Sequence, residues 1–181
     1  DGIWLKRSWG GEVQNVSVLV AIGVSTSGFR EILGVAEGSR EDAESWRQFL
    51  RYLRERGLEQ IDLVVSDKSL GFLEALGEFY PEAKWQRCVV HFYRNVLHAV
   101  PRGKAKEVAL MLKAVHAQED KEAARRKSVE VISKLRAQRL EKAARIVESG
   151  CDETLSYYDF PVAHWRHIRT NNPLERLNRE I

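Results

Sequence analysis

The order of apolar periodicities predicts an α/β fold: a mixed five-stranded sheet with helices on its faces and a helical insertion before the last helix. Three observations carry this expectation. Three strand-like segments joined by short turns fill the first 35 residues, the middle one with period-two alternation. Single apolar strands then alternate with helix-spaced segments. From 102 to about 149 the sequence is nearly continuous in helix formers.

Taken in order, residues 3–7 read as a short strand ending near Trp9-Gly10-Gly11, a glycine pair suited to a tight hairpin turn. Residues 13–24 follow, with Val16, Val18, Val20, Ile22 and Val24 at period two on one face. Ser27-Gly28 marks a second turn and 29–35 a third strand, giving an antiparallel meander. Ser39 is placed to cap the next helix, with Asp42 three residues on. Ala43, Trp46, Phe49, Leu50 and Leu53 recur at helical spacing, and Gly57 ends the run. Residues 61–66 form a buried-type strand, a short helix covers about 69–79 before Pro81, and 84–89 supply a fifth strand. A helix from about 91 carries Phe92, Val96 and Leu97 as far as Pro101. Within the insertion only Gly103 and Glu119-Asp120 offer breaks, and Gly150 closes it. Residues 151–170 read as irregular and aromatic. Asn172-Pro173 opens a final helix, because Asn is a good N-cap and Pro is favoured at the first helical position. The expected division is a core at 1–100, a mainly helical insertion at 101–165, and a last core helix at 166–181.

Apolar residues at 44% and charged residues at 30% describe a soluble globular chain. No run of 18 apolar residues is present, which excludes a spanning helix of that kind, and no signal peptide is recognised at the start. Two cysteines do not make a disulfide framework and point to a reducing compartment. The abrupt ends read as a piece cut from a longer protein. Residues 101–145 hold 13 Lys and Arg against 6 Asp and Glu, a net of +7, whereas the segments on either side are each at −2. Such a block is either a solvated helical surface or a surface for a polyanion.

Three acidic residues stand out. Asp67 ends an apolar strand, where it is either a helix N-cap or a carboxylate facing the crevice at a strand's C-terminal edge. Glu175 occupies the third position of the last helix, as a capping-box partner or as a side chain aimed into a cleft. Asp1 precedes the first strand, exposed at the start or beside Asp67 if that strand is central. Gathered, the three supply enough oxygen ligands for Mg²⁺, and paired ions of this type clamp both oxygens of an in-line phosphoryl displacement.

Five segments resemble the catalytic domain of the Mutator-type bacterial insertion-sequence transposases. They are DGIWLK at 1–6, VSVLVAIGV at 16–24, VVSD at 64–67, WQRCVVHFYRNVL at 85–97 and FPVAHWRHIRTNNPLERLNREI at 160–181. The resemblance implies a ribonuclease H-like fold with an α-helical insertion before the last helix. It also implies that Asp1, Asp67 and Glu175 form a catalytic Asp-Asp-Glu triad holding Mg²⁺ or Mn²⁺. The implied activity is strand cleavage at the element's end, followed by attack of the freed 3′-hydroxyl on target DNA. The implied partners are element-end and target DNA and further copies of the full-length protein, with no membrane, in a bacterial cytoplasm and at the nucleoid.

Family members commonly carry Gly after the second Asp, where this chain has Lys68. That departure motivates an alternative, an inactive remnant that binds DNA or a partner transposase. Lys68, Cys88 and His91 are candidates for supporting the active site. Cys88-x-x-His91 has half the ligands of a zinc site, and Cys151 with His164 or His167 would be needed to complete one. Arg169, Arg176 and Arg179 are either surface charges or phosphate contacts. Trp165 is either core or a stacking platform for an unpaired base.

Overall fold

The computed structural model describes residues 2–9, 11–25, 27–38, 42–172 and 174. The chain divides into two compact units. A sheet unit holds the described residues up to Val64, Lys68–Lys84 and those from Asn171 on, and a helical unit holds Val65–Asp67 and Trp85–Thr170.

In the sheet unit, β1 (Gly2–Trp9), β2 (Glu12–Val24) and β3 (Arg30–Gly38) form an antiparallel meander in that order. Trp9 pairs directly with Glu12, so the first turn has two residues, and Gly11 takes the left-handed φ of 85° that such turns demand. The second turn closes through the Gly28 N–H to Ser25 O bond at 2.8 Å, again with a left-handed glycine. One expectation fails on β2. Ser17, Leu19 and Val20 are buried, Val16, Val18 and Ile22 are only half-covered, and Val24 is exposed. The predicted valine stripe is therefore not a single core face. A bulge lies opposite Ala21 and Ile22, where β3 carries one extra residue, Leu33, between Ile32 and Gly34.

Helix α1 (Ala43–Glu55) packs on β3 at Gly34, where any Cβ would come within 2.7 Å of Leu53. Its N-cap is Asp42, whose carboxylate accepts the Ser45 N–H at 2.9 Å. Asp42 is thus the cap itself rather than the residue three positions after a Ser39 cap; Ser39 lies outside the described residues. Helix α2 (Leu70–Phe79) lies against α1, with Trp46 edge-on to Phe72 at 4.9 Å.

Strands β4 (Leu63–Ser66) and β5 (Lys84–Arg87) flank α2 and form a second sheet. The Lys84 N–H meets Asp62 O and the Cys88 N–H meets Ser66 O, so the pairing advances in step along both strands and is parallel. The five strands thus exist, but among the described residues their ladders make one three-stranded and one two-stranded sheet. The single five-stranded sheet is not among them.

In the helical unit, α3 (Val89–His98) starts two residues earlier than expected. The segment read as one long helical run is three: α4 (Arg102–Val115), α5 (Lys121–Ala137) and α6 (Glu141–Gly150). The break before α5 falls at Glu119-Asp120 as read, with Asp120 accepting the Ala123 N–H at 2.7 Å. Gly103 lies within α4 rather than interrupting it. The break after α5 escaped notice because Arg139 makes it, at a φ of 60°. Leu140 N–H bonds Leu135 O and Arg139 N–H bonds Arg136 O, a Schellman ending with Arg in glycine's usual place. Residues 151–170 are ordered as two short 3₁₀ turns (Asp152–Thr154 and Ser156–Asp159) and α7 (Val162–Ile168). Phe92, Val96, Val108, Leu112, Val131, Leu135, Val147 and Leu155 form the closed core of this unit.

Candidate active site around Asp67

Asp67 follows directly on β4, half-buried, at the strand's C-terminal end. Ser66 fixes it from the chain side. The Ser66 carbonyl accepts the Cys88 N–H at 2.8 Å. The Ser66 hydroxyl donates to Asp67 O at 2.8 Å and accepts the Trp85 indole N–H at 2.9 Å. The backbone at Asp67 is thereby tied to the end of β5 and the start of α3.

Cys88 is fully buried at the N-cap of α3 and makes no side-chain cap. The helix start is satisfied differently: the Val89 N–H donates to Arg169 O at 3.0 Å. Arg169, at the C-cap of α7, also sends its guanidinium to His116 O at 3.4 Å. Ser66, next to Asp67, is therefore linked to Cys88 by a main-chain hydrogen bond, and Val89, next to Cys88, to Arg169 by another. His91 lies one turn into α3, half-buried, and Lys68 is exposed beside Asp67. Trp165 sits edge-on to Tyr158 at 4.6 Å and to Tyr157 at 5.8 Å, and its N–H donates to Phe160 O at 2.7 Å. Asp1, Glu175, Arg176 and Arg179 lie outside the described residues. Among the described residues no three His, Cys, Asp or Glu stand together as a metal site.

Behind this arrangement is a buried polar network that the sequence reading missed. Gln86 has no exposure. Its amide donates to Arg87 O and Thr154 O at 2.7 and 2.8 Å, and its carbonyl accepts the Tyr157 N–H at 2.9 Å. His116 lies between the Tyr93 hydroxyl at 2.9 Å and the Thr154 hydroxyl at 2.8 Å. Burial lowers its pKa to about 4, with the Arg169 charge adding in the same direction, so the ring is neutral at pH 7. The two hydroxyls also reach main-chain carbonyls, Tyr93 donating to Leu112 O and Thr154 to Cys151 O, so the ring is held within one continuous network. Burial also pushes the Cys151 thiol up to about 11, which leaves it protonated and unreactive. Arg87 is buried over the Phe92 ring at 5.3 Å and paired with Glu153 at 3.1 Å; Gly150 leaves room for it, since a Cβ there would fall 2.6 Å from the guanidinium. The one signal in the sequence was the density of polar residues in WQRCVVHFYRNVL, which spans the fifth strand and α3. Their partners, Glu153 and Thr154, lie more than 60 residues away.

Comparison with known proteins gives a consistent result. The family model described as "Transposase, Mutator family" matches residues 1–181. The transposase for insertion sequence element ISRM5 of Rhizobium meliloti is 37% identical over 181 residues, all of this chain and 45% of that protein. The transposase for IS1081 of Mycobacterium tuberculosis is also 37% identical over 181 residues, covering 43% of its length. The transposase for IST2 of Acidithiobacillus ferrooxidans is 38% identical over 166 residues, 91% of this chain and 56% of that protein. The chain thus spans about half the length of these relatives.

Proposed function

Since the chain belongs to the Mutator family of transposases, we propose that it is the DNA-cleaving and strand-transferring part of such an enzyme. The family match along the full chain carries this reading. The bracing of Asp67 at the C-terminal end of a parallel strand supports it, because α/β folds place their chemistry at that edge.

In this reading β1 lies beside β4 in a ribonuclease H-like sheet, so that Asp1, Asp67 and Glu175 meet. The fit to a divalent cation is tested at Asp67: a carboxylate oxygen donor, half-exposed, on a backbone held by three hydrogen bonds around Ser66. Asp1, Asp67 and Glu175 are the residues that would hold Mg²⁺ or Mn²⁺, which when bound activates water and neutralises charge on the scissile phosphate. The protein's own part is positional. Ser66, Trp85 and the start of α3 fix the Asp67 main chain, and Arg169 ties the segment leading to Glu175 to that same helix start. DNA is the substrate, and further copies of the longer protein are the partners. Lys68, exposed beside Asp67, favours a second reading in which the chain binds DNA without cutting it.

Calorimetric titration of the chain with Mn²⁺ separates the two. Saturable binding that falls at least tenfold in Asp67→Asn and in Glu175→Gln is expected. Affinity unchanged by both substitutions overturns the triad and leaves the non-cleaving reading.

A further inference from the structure

The basic block is not evenly paired. On and around α5 most cations are tied to acids: Lys121 to Asp159, Arg125 to Asp152 and Glu122, Lys127 to Glu130, and Arg136 to Glu148, which leaves Arg126 and Lys134 exposed on that helix. On α4 the pattern differs. Arg102, Lys106 and Lys113 are exposed, and among the described residues no acid stands within ion-pair distance of any of them. At 100° per residue the three fall within an arc of about 40°, and at 1.5 Å per residue they span roughly 16 Å. The face opposite is the buried one, with Val108, Leu112 and Val115. The one acid of α4, Glu107, is turned away, bonded to Lys104 and to Gln138 at the end of α5. The next residue is Arg139, also exposed and without an acidic partner among the described residues, and held in the left-handed conformation where glycine is ordinarily used.

We propose that the outward face of α4, formed by Arg102, Lys106 and Lys113 with Arg139 beside it, is a docking surface for the phosphate backbone of double-stranded DNA. Charge complementarity selects the occupant. A duplex presents one negative charge per about 1.7 Å of axis, so a 16 Å row of unneutralised cations meets several phosphates without reading bases. An arginine kept where glycine costs less is accounted for by a use for its charge. The proposal rests on the transposase reading only in naming DNA as the partner, and it requires no metal and no carboxylate.

The test is fluorescence anisotropy of the 181-residue chain on a labelled random-sequence duplex, in EDTA, across a salt series. Loss of Arg102, Lys106 and Lys113 to Gln is expected to weaken binding at least tenfold at low salt. It should also flatten the slope of log affinity against log salt by about 2 to 3, near 0.9 per lost phosphate contact. Arg139→Gly is expected to lower affinity two- to fivefold while raising the melting temperature, a combination a purely structural arginine does not give. Unchanged slope and affinity in the triple variant overturn the proposal. So does tighter binding of a poly-glutamate chain than of the duplex, with Leu110→Ser on the same face abolishing it, because the surface then serves an acidic protein. Working in EDTA keeps this outcome separate from failure of the carboxylate triad.

Discussion

The helical unit and the meander of the sheet unit are stabilised by different means. The helical unit closes on itself: eight of its largest apolar side chains, from Phe92 to Leu155, are almost without exposure, and its buried polar groups Gln86, His116 and Thr154 satisfy one another. The sheet unit keeps its meander by backbone ladders while Val13, Val24, Phe29, Ile32 and Val35 remain 50–69% exposed. A side-chain change should therefore matter where packing carries the structure, and much less where ladder hydrogen bonds do.

The sharpest way to break that comparison is a pair of truncations. Leu112→Ala should cost about 2–5 kcal/mol, since the cavity forms in a closed core. Val35→Ala, on an exposed sheet position, should stay within about 0.5 kcal/mol. Urea unfolding followed by circular dichroism measures both, and equal costs would dissolve the distinction.

Next is acid. The folded-state pKa of His116 is depressed from 6.5 to about 4, so the unfolded chain binds the extra proton first. The stability contributed by the neutral ring is complete above about pH 6.5. It is lost as pH falls toward 4, by at most about 3 kcal/mol. His116→Gln, which bonds but does not titrate, should flatten the stability profile between pH 6.5 and 4. Sheet variants should leave that slope alone.

Thr154→Val keeps the shape but removes the hydroxyl facing His116 Nε2. An expected loss of about 1–3 kcal/mol in the same unfolding assay reflects one buried polar atom left without its partner. The smallest effect has the opposite sign. Arg139→Gly relieves a left-handed arginine and should stabilise by about 0.5–1 kcal/mol, less than the bare conformational cost because glycine also loosens the unfolded chain.

Legibility in the sequence followed the range of the interaction. The meander, its glycine turns and helix α1 were readable because their signals are spaced by two, three or four residues. The core face of β2 was misread because the covered positions are Ser17, Leu19 and Val20, and which residues of a strand a neighbouring element covers leaves no trace in composition. The end of α5 was missed because an arginine fills a role that ordinarily announces itself with glycine. At the candidate site, Asp67 could be found as the acid closing an apolar strand. Gln86 and His116 could not, because what makes them notable is a threonine 68 and 38 residues further on. Nothing local distinguishes a buried glutamine from a solvated one.

The bond from the Val89 amide to the Arg169 carbonyl has an architectural consequence. It sets the doorway through which the chain leaves and the one through which it returns side by side, 80 residues apart in sequence. Whatever lies between is a closed loop, and doubling the length of such a loop costs only about 0.6 kcal/mol in closure entropy. The connections between the intervening helices can therefore be lengthened at small cost, provided that Glu153, Thr154 and Tyr157 still meet Gln86 and Arg87.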